Sequence, residues 1–257
     1  MTEYLPFYIN TYHDSECIDF LMPKELEGIF SVTLFLKNKL SDVAEGNQEI
    51  LWEKISKHFN NKRLVAPKQV HGINIIEAKS FNALPQKPEA DGIFVEEKND
   101  CCFSLQFADC TPVVIAGTDP LPWMLFLHSG FWGTTQGITR ASFVFLRKKY
   151  KGFTISNNIW AWIGPSICKE CYSRNSEDED TVKAVRQFDI DNILRIDNHI
   201  FFDITMEIKR QLIDNGIKES NIYVFDECTR CNSNRYYSYR AGDKKRRLFL
   251  LGYCATN

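Results

Sequence analysis

Between Asp91 and His128 four short apolar runs follow one another: "DGIFV", "CCFSLQF", "PVVIA" and "WMLFLH". Turn residues separate them. Short runs rich in β-branched and aromatic residues, bounded by such signals, predict strands. "GINIIEA" before them and "IWAWIG", "NIYVF", "RYYSYR" and "RRLFLLGYC" after them read the same way. Helical spacing is confined to a few places. "NQEILWEKISKHF" has apolar residues at Ile50, Leu51, Ile55 and Phe59. "TTQGITRASFVFLRKKY" reads as one helix, with Thr134 or Thr135 as its cap. "DITMEIKRQLIDNG" puts Ile204, Ile208 and Leu212 on one face, with Gly216 as a C-terminal stop. Ser176, three residues before Glu179, predicts a capping box for the acidic "EDEDTVKAVRQF" segment. Strands cluster, and helices do not alternate regularly with them. This favours an α+β sandwich over a doubly wound parallel sheet. The first 45 or so residues give no clear pattern.

The 257 residues are 44% hydrophobic and 25% charged, enough for one sizeable core. No linker-like stretch divides the chain, so one domain over 1–257 is expected. A net charge of −2 argues against nucleic acid or an anionic membrane as partner. No apolar run reaches the length of a membrane span. The N-terminus lacks the basic start and apolar stretch of a signal peptide, which predicts a cytoplasmic protein. Nine cysteines, an odd number in a chain this large, predict reduced thiols rather than a disulfide framework. The basic run Lys244–Arg247 reads as a solvated turn.

Only five histidines are present: His13, His58, His71, His128 and His199. Three side chains sit where a predicted strand meets a loop: His71 in "KQVHG", Cys110 in "ADC" and His128 in "LHSG". One thiolate and two imidazoles suit zinc, whose catalytic sites use three protein ligands and one open position. Spacing alone leaves open that Cys110 is a buried small hydrophobe and the histidines are satisfied polar residues. The loop "HSGFWGTTQG" follows His128, and Gly130, Gly133 and Gly137 precede or enter a helix. Bare N–H groups there would suit an anion. Two Cys-x-x-Cys pairs, Cys168/Cys171 and Cys228/Cys231, stand too far apart for the usual zinc-knuckle spacing. They read as isolated thiols.

"QVHG", "ADGIFV", "ADCTPVVI", "HSGFWG", "IGPSI" with "CY", and "CT" with "YYSYR" occur in that order. In this the chain resembles the YfiH-like proteins, also called the laccase-domain or polyphenol oxidase family. The resemblance covers roughly residues 68–257; the N-terminal quarter matches poorly. It implies an α/β/β/α sandwich of mixed sheets and a zinc site made by His71, Cys110 and His128. It also implies purine nucleoside phosphorylase activity on adenosine, inosine and methylthioadenosine, with adenosine deaminase activity beside it. The older laccase label implies copper. Within the matched segments Asp109 and Arg240 are the candidate catalytic residues. Lys68, Gly130, Gly133 and Arg230 are candidates for holding substrate or phosphate. Three departures stand out. The family's Trp-Arg in the glycine loop is Phe131-Trp132 here, "YEVG" is "YSRN", and the N-terminal Asn-Leu motif is absent.

Several readings therefore compete. The first is a zinc-dependent enzyme whose partners are a purine nucleoside and phosphate. The second is a laccase-like copper oxidoreductase. Five histidines cannot supply four coppers, so zinc is favoured. The third is a hydrolase with Cys110 as nucleophile and His128 as base. The fourth is a degenerate family member that keeps zinc without activity. The oligomeric state is not legible.

Overall fold

A computed structural model describes residues 5–12, 15–60, 62–82 and 86–255. His13 lies outside them. In chain order the strands are β1 (Phe7–Tyr12), β2 (Ser15–Phe20), β3 (Phe30–Phe35), β4 (Arg63–Val65), β5 (Ile75–Glu77), β6 (Gly92–Glu96), β7 (Cys101–Phe107), β8 (Thr111–Gly117), β9 (Trp123–Ser129), β10 (Ile159–Ile163), β11 (Ser173–Asn175), β12 (Ile193–Ile196), β13 (His199–Phe202), β14 (Ile222–Val224) and β15 (Leu248–Cys254). The α-helices are α1 (Lys39–Ala44), α2 (Gln48–Ile55), α3 (Phe131–Gln136), α4 (Ile138–Lys149), α5 (Glu179–Val185) and α6 (Ile204–Asp214).

The first sheet has the order β1-β2-β3-β15-β7-β4 and the second β14-β10-β8-β9-β6-β5. Most pairs are antiparallel, but β4–β7, β5–β6 and β10–β14 are parallel, so both sheets are mixed. Side-chain alternation along the strands sorts the core into layers. Phe103 and Leu105 of β7 and Leu248 and Leu250 of β15 meet Val114 of β8 and Met124 and Phe126 of β9 between the sheets. The alternate residues Val113, Ile115, Leu125 and Leu127 face Phe143 and Leu146 of α4 and Ile208 and Leu212 of α6. On the far side of the first sheet, Phe35, Phe249 and Leu251 pack on Leu51 and Ile55 of α2. The result is the expected α/β/β/α sandwich of mixed sheets. Every residue of β8 and β9 is buried because both faces of this sheet are covered.

A third sheet, β11-β13-β12, backs the glycine-rich loop. Phe202 of β13 and Phe131 make an edge-to-face contact at 5.0 Å. Among the described residues no helix is long and apolar enough to cross a membrane.

Several local expectations need correction. The helix expected across 134–150 is two helices, because Gly137 between them takes φ +79°, outside the α region. Neither threonine caps α3. Gly130 is its N-cap, and the Thr134 hydroxyl pairs with that of Ser129 at 2.9 Å. The cap of α5 is Asp178, not Ser176; its carboxylate accepts from Arg174 and Thr181. "RYYSYR" is turn rather than strand, although Tyr236 and Tyr237 are fully buried. Gly216, at φ +99°, does follow the end of α6. The N-terminal quarter holds three strands of the first sheet.

Candidate active site

The β8–β9 hairpin explains why Cys110 and His128 flank it. Pro112 pairs with His128 and Thr111 with Ser129, so the residue before β8 and the last residues of β9 share the hairpin's open end. His71 reaches the same place from the loop ahead of β5. Its backbone has φ +61°, in the left-handed region that most residues other than glycine avoid.

Asp91 maintains that geometry. It is fully buried at the start of β6, and its carboxylate accepts from the backbone N–H groups of Val70, His71 and Gly72 at 3.1, 3.0 and 2.7 Å. Asp91 Oδ1 also lies 2.8 Å from His128 Nδ1. Burial alone would raise the Asp91 carboxyl. The His128 contact and the N–H donors outweigh it and hold the group below the usual aspartate range. One buried acid thus fixes both histidine-bearing segments. With Nδ1 engaged, His128 has Nε2 left to offer.

One donor atom from each of His71, Cys110 and His128 lies within 4.8 Å of the others. Bond lengths of about 2.0–2.3 Å to nitrogen and sulfur would place one ion among them. Burial works against a Cys110 thiolate, but the charge and hydrogen bonds of His128 and His71 bring the thiol down to about 6. His128 is raised to about 9 against its own burial, by Cys110 and Asp91. Gly130 closes against this cluster: a Cβ there would come within 2.6 Å of Cys110 Sγ.

The cluster opens into a cavity of about 510 Å³. Phe131, Trp132, Ile167 and Tyr172 supply apolar wall, and Arg240 and Arg247 supply positive charge. A larger hollow of about 810 Å³ lies at β1–β3, away from both metal-ligating clusters found among the described residues. Arg240 lies over the Tyr172 ring, 4.6 Å from its centroid. Arg247 is half-buried, and burial lowers its pKa despite the attraction of Cys110. Its guanidinium bonds backbone carbonyls of Asp243, Lys244 and Arg246. Lys244, Lys245 and Arg246 are exposed as expected, but Arg247 turns inward and corrects the reading of that run as solvated throughout.

The remaining candidates divide. Asp109 lines the cavity from a turn at φ +81°, not from a strand. Its two oxygens accept from the Thr229 hydroxyl and the Arg240 backbone N–H, each at 2.8 Å. Gly133 packs beside the backbone oxygens of His128 and Gly72. Lys68 is not among the cavity residues; it pairs with Glu89 at 2.8 Å, and both side chains are exposed. Arg230 is exposed too and bonds the Cys171 carbonyl. The two Cys-x-x-Cys pairs are not isolated: the four sulfurs form a second cluster, each within 4.8 Å of the others.

Sequence reasoning missed Asp91 and Arg247. An acid placed directly before a wholly apolar strand, as in "ADGIFV", was the available signal for Asp91. Arg247 gave none, because a basic run looks alike whichever member turns inward.

The sequence family described as "Multi-copper polyphenol oxidoreductase laccase" matches residues 32–251. The chain belongs to this family. The laccase-family chain is 30% identical over 193 residues to the purine nucleoside phosphorylase RP494 of Rickettsia prowazekii, covering 73% of this chain and 75% of that one. It is 25% identical over 186 residues to the adenosine deaminase RL5 of an unknown prokaryotic organism, covering 69% of each. Among solved structures, YlmD from Geobacillus stearothermophilus superposes with a TM-score of 0.78 at 20% identity, covering 98% of this chain and 100% of that one. The family match begins in β3, so it takes in part of the N-terminal quarter that carries no readable motif.

Proposed function

We propose that this chain is a zinc-dependent purine nucleoside phosphorylase acting on adenosine, inosine and methylthioadenosine, with adenosine deaminase as a second activity. The observation that carries the reading is the convergence of His71, Cys110 and His128 at the floor of a cavity that combines aromatic wall with two arginines. A purine needs apolar and aromatic contact, and phosphate needs positive charge and N–H donors. The donor set fits zinc: one thiolate, two imidazoles, one imidazole oriented by a carboxylate, and an open side. The ion would act as a Lewis acid that polarises an oxygen or activates water.

The chain's own residues would do the rest. Phe131, Trp132 and Tyr172 would hold the base and exclude water. Arg240 and Arg247 would hold the phosphate that attacks the ribose carbon. They take over the role first assigned to Lys68 and Arg230, which supports phosphate binding despite Trp132 standing where relatives carry arginine. Asp109 would position Arg240 through the backbone, since its carboxylate accepts from the Arg240 N–H at 2.8 Å and is anchored by the Thr229 hydroxyl. Gly130 and Gly133 would admit the loop close to the ligands.

Cys110, His128 and Asp91 also have the order of a thiolate–imidazole–carboxylate triad, which favours the hydrolase as the second reading. His71 in the same cluster speaks for a metal instead. Metal analysis of protein purified without added metal distinguishes them. Zinc in the wild type and loss of one equivalent, together with nucleoside cleavage, in Cys110→Ala is the expected result. Rapid alkylation of Cys110 in zinc-loaded protein would favour the hydrolase. Several bound coppers with oxygen-dependent phenol turnover would favour the oxidase.

A further inference from the structure

We propose that Cys168, Cys171, Cys228 and Cys231 bind a second zinc ion, structural in role, which joins two walls of the active-site cavity. The residues come from two Cys-x-x-Cys turns sixty positions apart, yet all four sulfurs lie within 4.8 Å of one another. A tetrahedron with Zn–S bonds of ~2.3 Å has S–S edges of ~3.8 Å. Cys171 and Cys231 are 3.5 Å apart, far longer than a disulfide, and all nine cysteines are unpaired. So tight a group encloses one ion and leaves no room for an iron–sulfur cluster. Four thiolates with no open side are the donor set of a structural zinc site, not a catalytic one.

The backbone is arranged for thiolates. Cys228 Sγ accepts from the N–H of Cys168 at 3.3 Å and from that of Cys231 at 3.4 Å. The Cys228 segment already docks on the first turn by a bridge to Ser166. The Thr229 N–H donates to the Ser166 carbonyl at 3.0 Å. Binding would release the thiol protons to solvent and leave a net double negative charge, beside which Lys169 and Arg230 stand in sequence.

The placement gives the ion its consequence. Ile167 and Tyr172, which flank the first turn, line the cavity. Thr229, inside the second turn, bonds Asp109, the neighbour of Cys110. The ion therefore fixes the position of Tyr172 relative to the Asp109–Cys110 turn.

Zinc content per chain, measured on protein purified under reducing conditions, tests this. The wild type is expected to hold two equivalents. Cys231→Ser, at the most exposed of the four, should lose one equivalent and Cys110→Ala the other, so the two sites fail separately. Cobalt substitution of the wild type provides a measurement that needs no variant. Thiolate-to-cobalt absorption from both sites together, four thiolates from this cluster and one from Cys110, supports the proposal. Zinc content unchanged in Cys231→Ser, or a cobalt spectrum with the absorption of a single thiolate, would each overturn it.

Discussion

Asp91 shows how much one side chain can determine. It accepts hydrogen bonds from three consecutive backbone N–H groups and contacts His128. Asp91→Ala removes all of these at once. Loss of a partner that orients a ligand histidine lowers metal affinity by about 10–100-fold. Zinc competition against a chromogenic chelator should show that fall in Asp91→Ala, while the cysteine cluster keeps its own ion. Gly130→Ala tests the same site from the other side. Its Cβ would collide with Cys110 Sγ, so metal occupancy should fall while the circular dichroism of the fold is preserved. The arginines respond differently. Arg247→Ala should raise the phosphate concentration needed for half-maximal rate about 10–100-fold, the loss of one charge-assisted contact, and leave zinc content unchanged. The metal-ligand candidates were legible in the sequence because histidine is scarce and each residue borders a strand. Their buried support was not, since no pattern in a single chain says that an aspartate turns inward.

At the scale of elements, strand legibility followed burial. β8 and β9 are covered on both faces, and such strands leave continuous apolar runs. β1, "FYINTY", is exposed along most of its length, and β2, "SECIDF", buries serine and cysteine among its apolar residues. Neither presents a regular alternation, which is why the N-terminal quarter could not be read. "RYYSYR" misled in the opposite direction: Tyr236 and Tyr237 are buried, but their hydroxyls reach Glu227 and Asp42 from a turn. On α6, Glu207 is fully buried and accepts from the Asp189 backbone, Asn192 and Arg210. Burial would raise its carboxyl, but these donors outweigh it and hold the group below the usual glutamate range. A depressed folded-state pKa contributes stability above the unfolded value, lost as pH falls through the folded one. Glu207→Gln should cost about 1.5–3 kcal/mol at pH 7 by denaturant titration. The difference from wild type should shrink as pH drops below ~4.

The whole molecule owes its site to the way two sheets stack. The α/β/β/α class was legible from strand clustering and motif order. The cysteine cluster was not, because sixty positions of chain separate its turns, and it is the β10–β14 pairing and the Ser166–Cys228 bridge that bring them together. Between the sheets, Phe103 and Phe126 meet edge-to-face at 4.8 Å. Phe126→Ala should destabilise the fold by about 3–5 kcal/mol, read as a lowered denaturant midpoint. The central claim concerns chemistry. The most direct measurement is chromatographic identification of the products formed from adenosine by the purified protein, with and without inorganic phosphate. The account predicts free base and ribose 1-phosphate only when phosphate is present, and neither product from Cys110→Ala. Adenosine left intact under both conditions, or free base formed equally without phosphate, would contradict it.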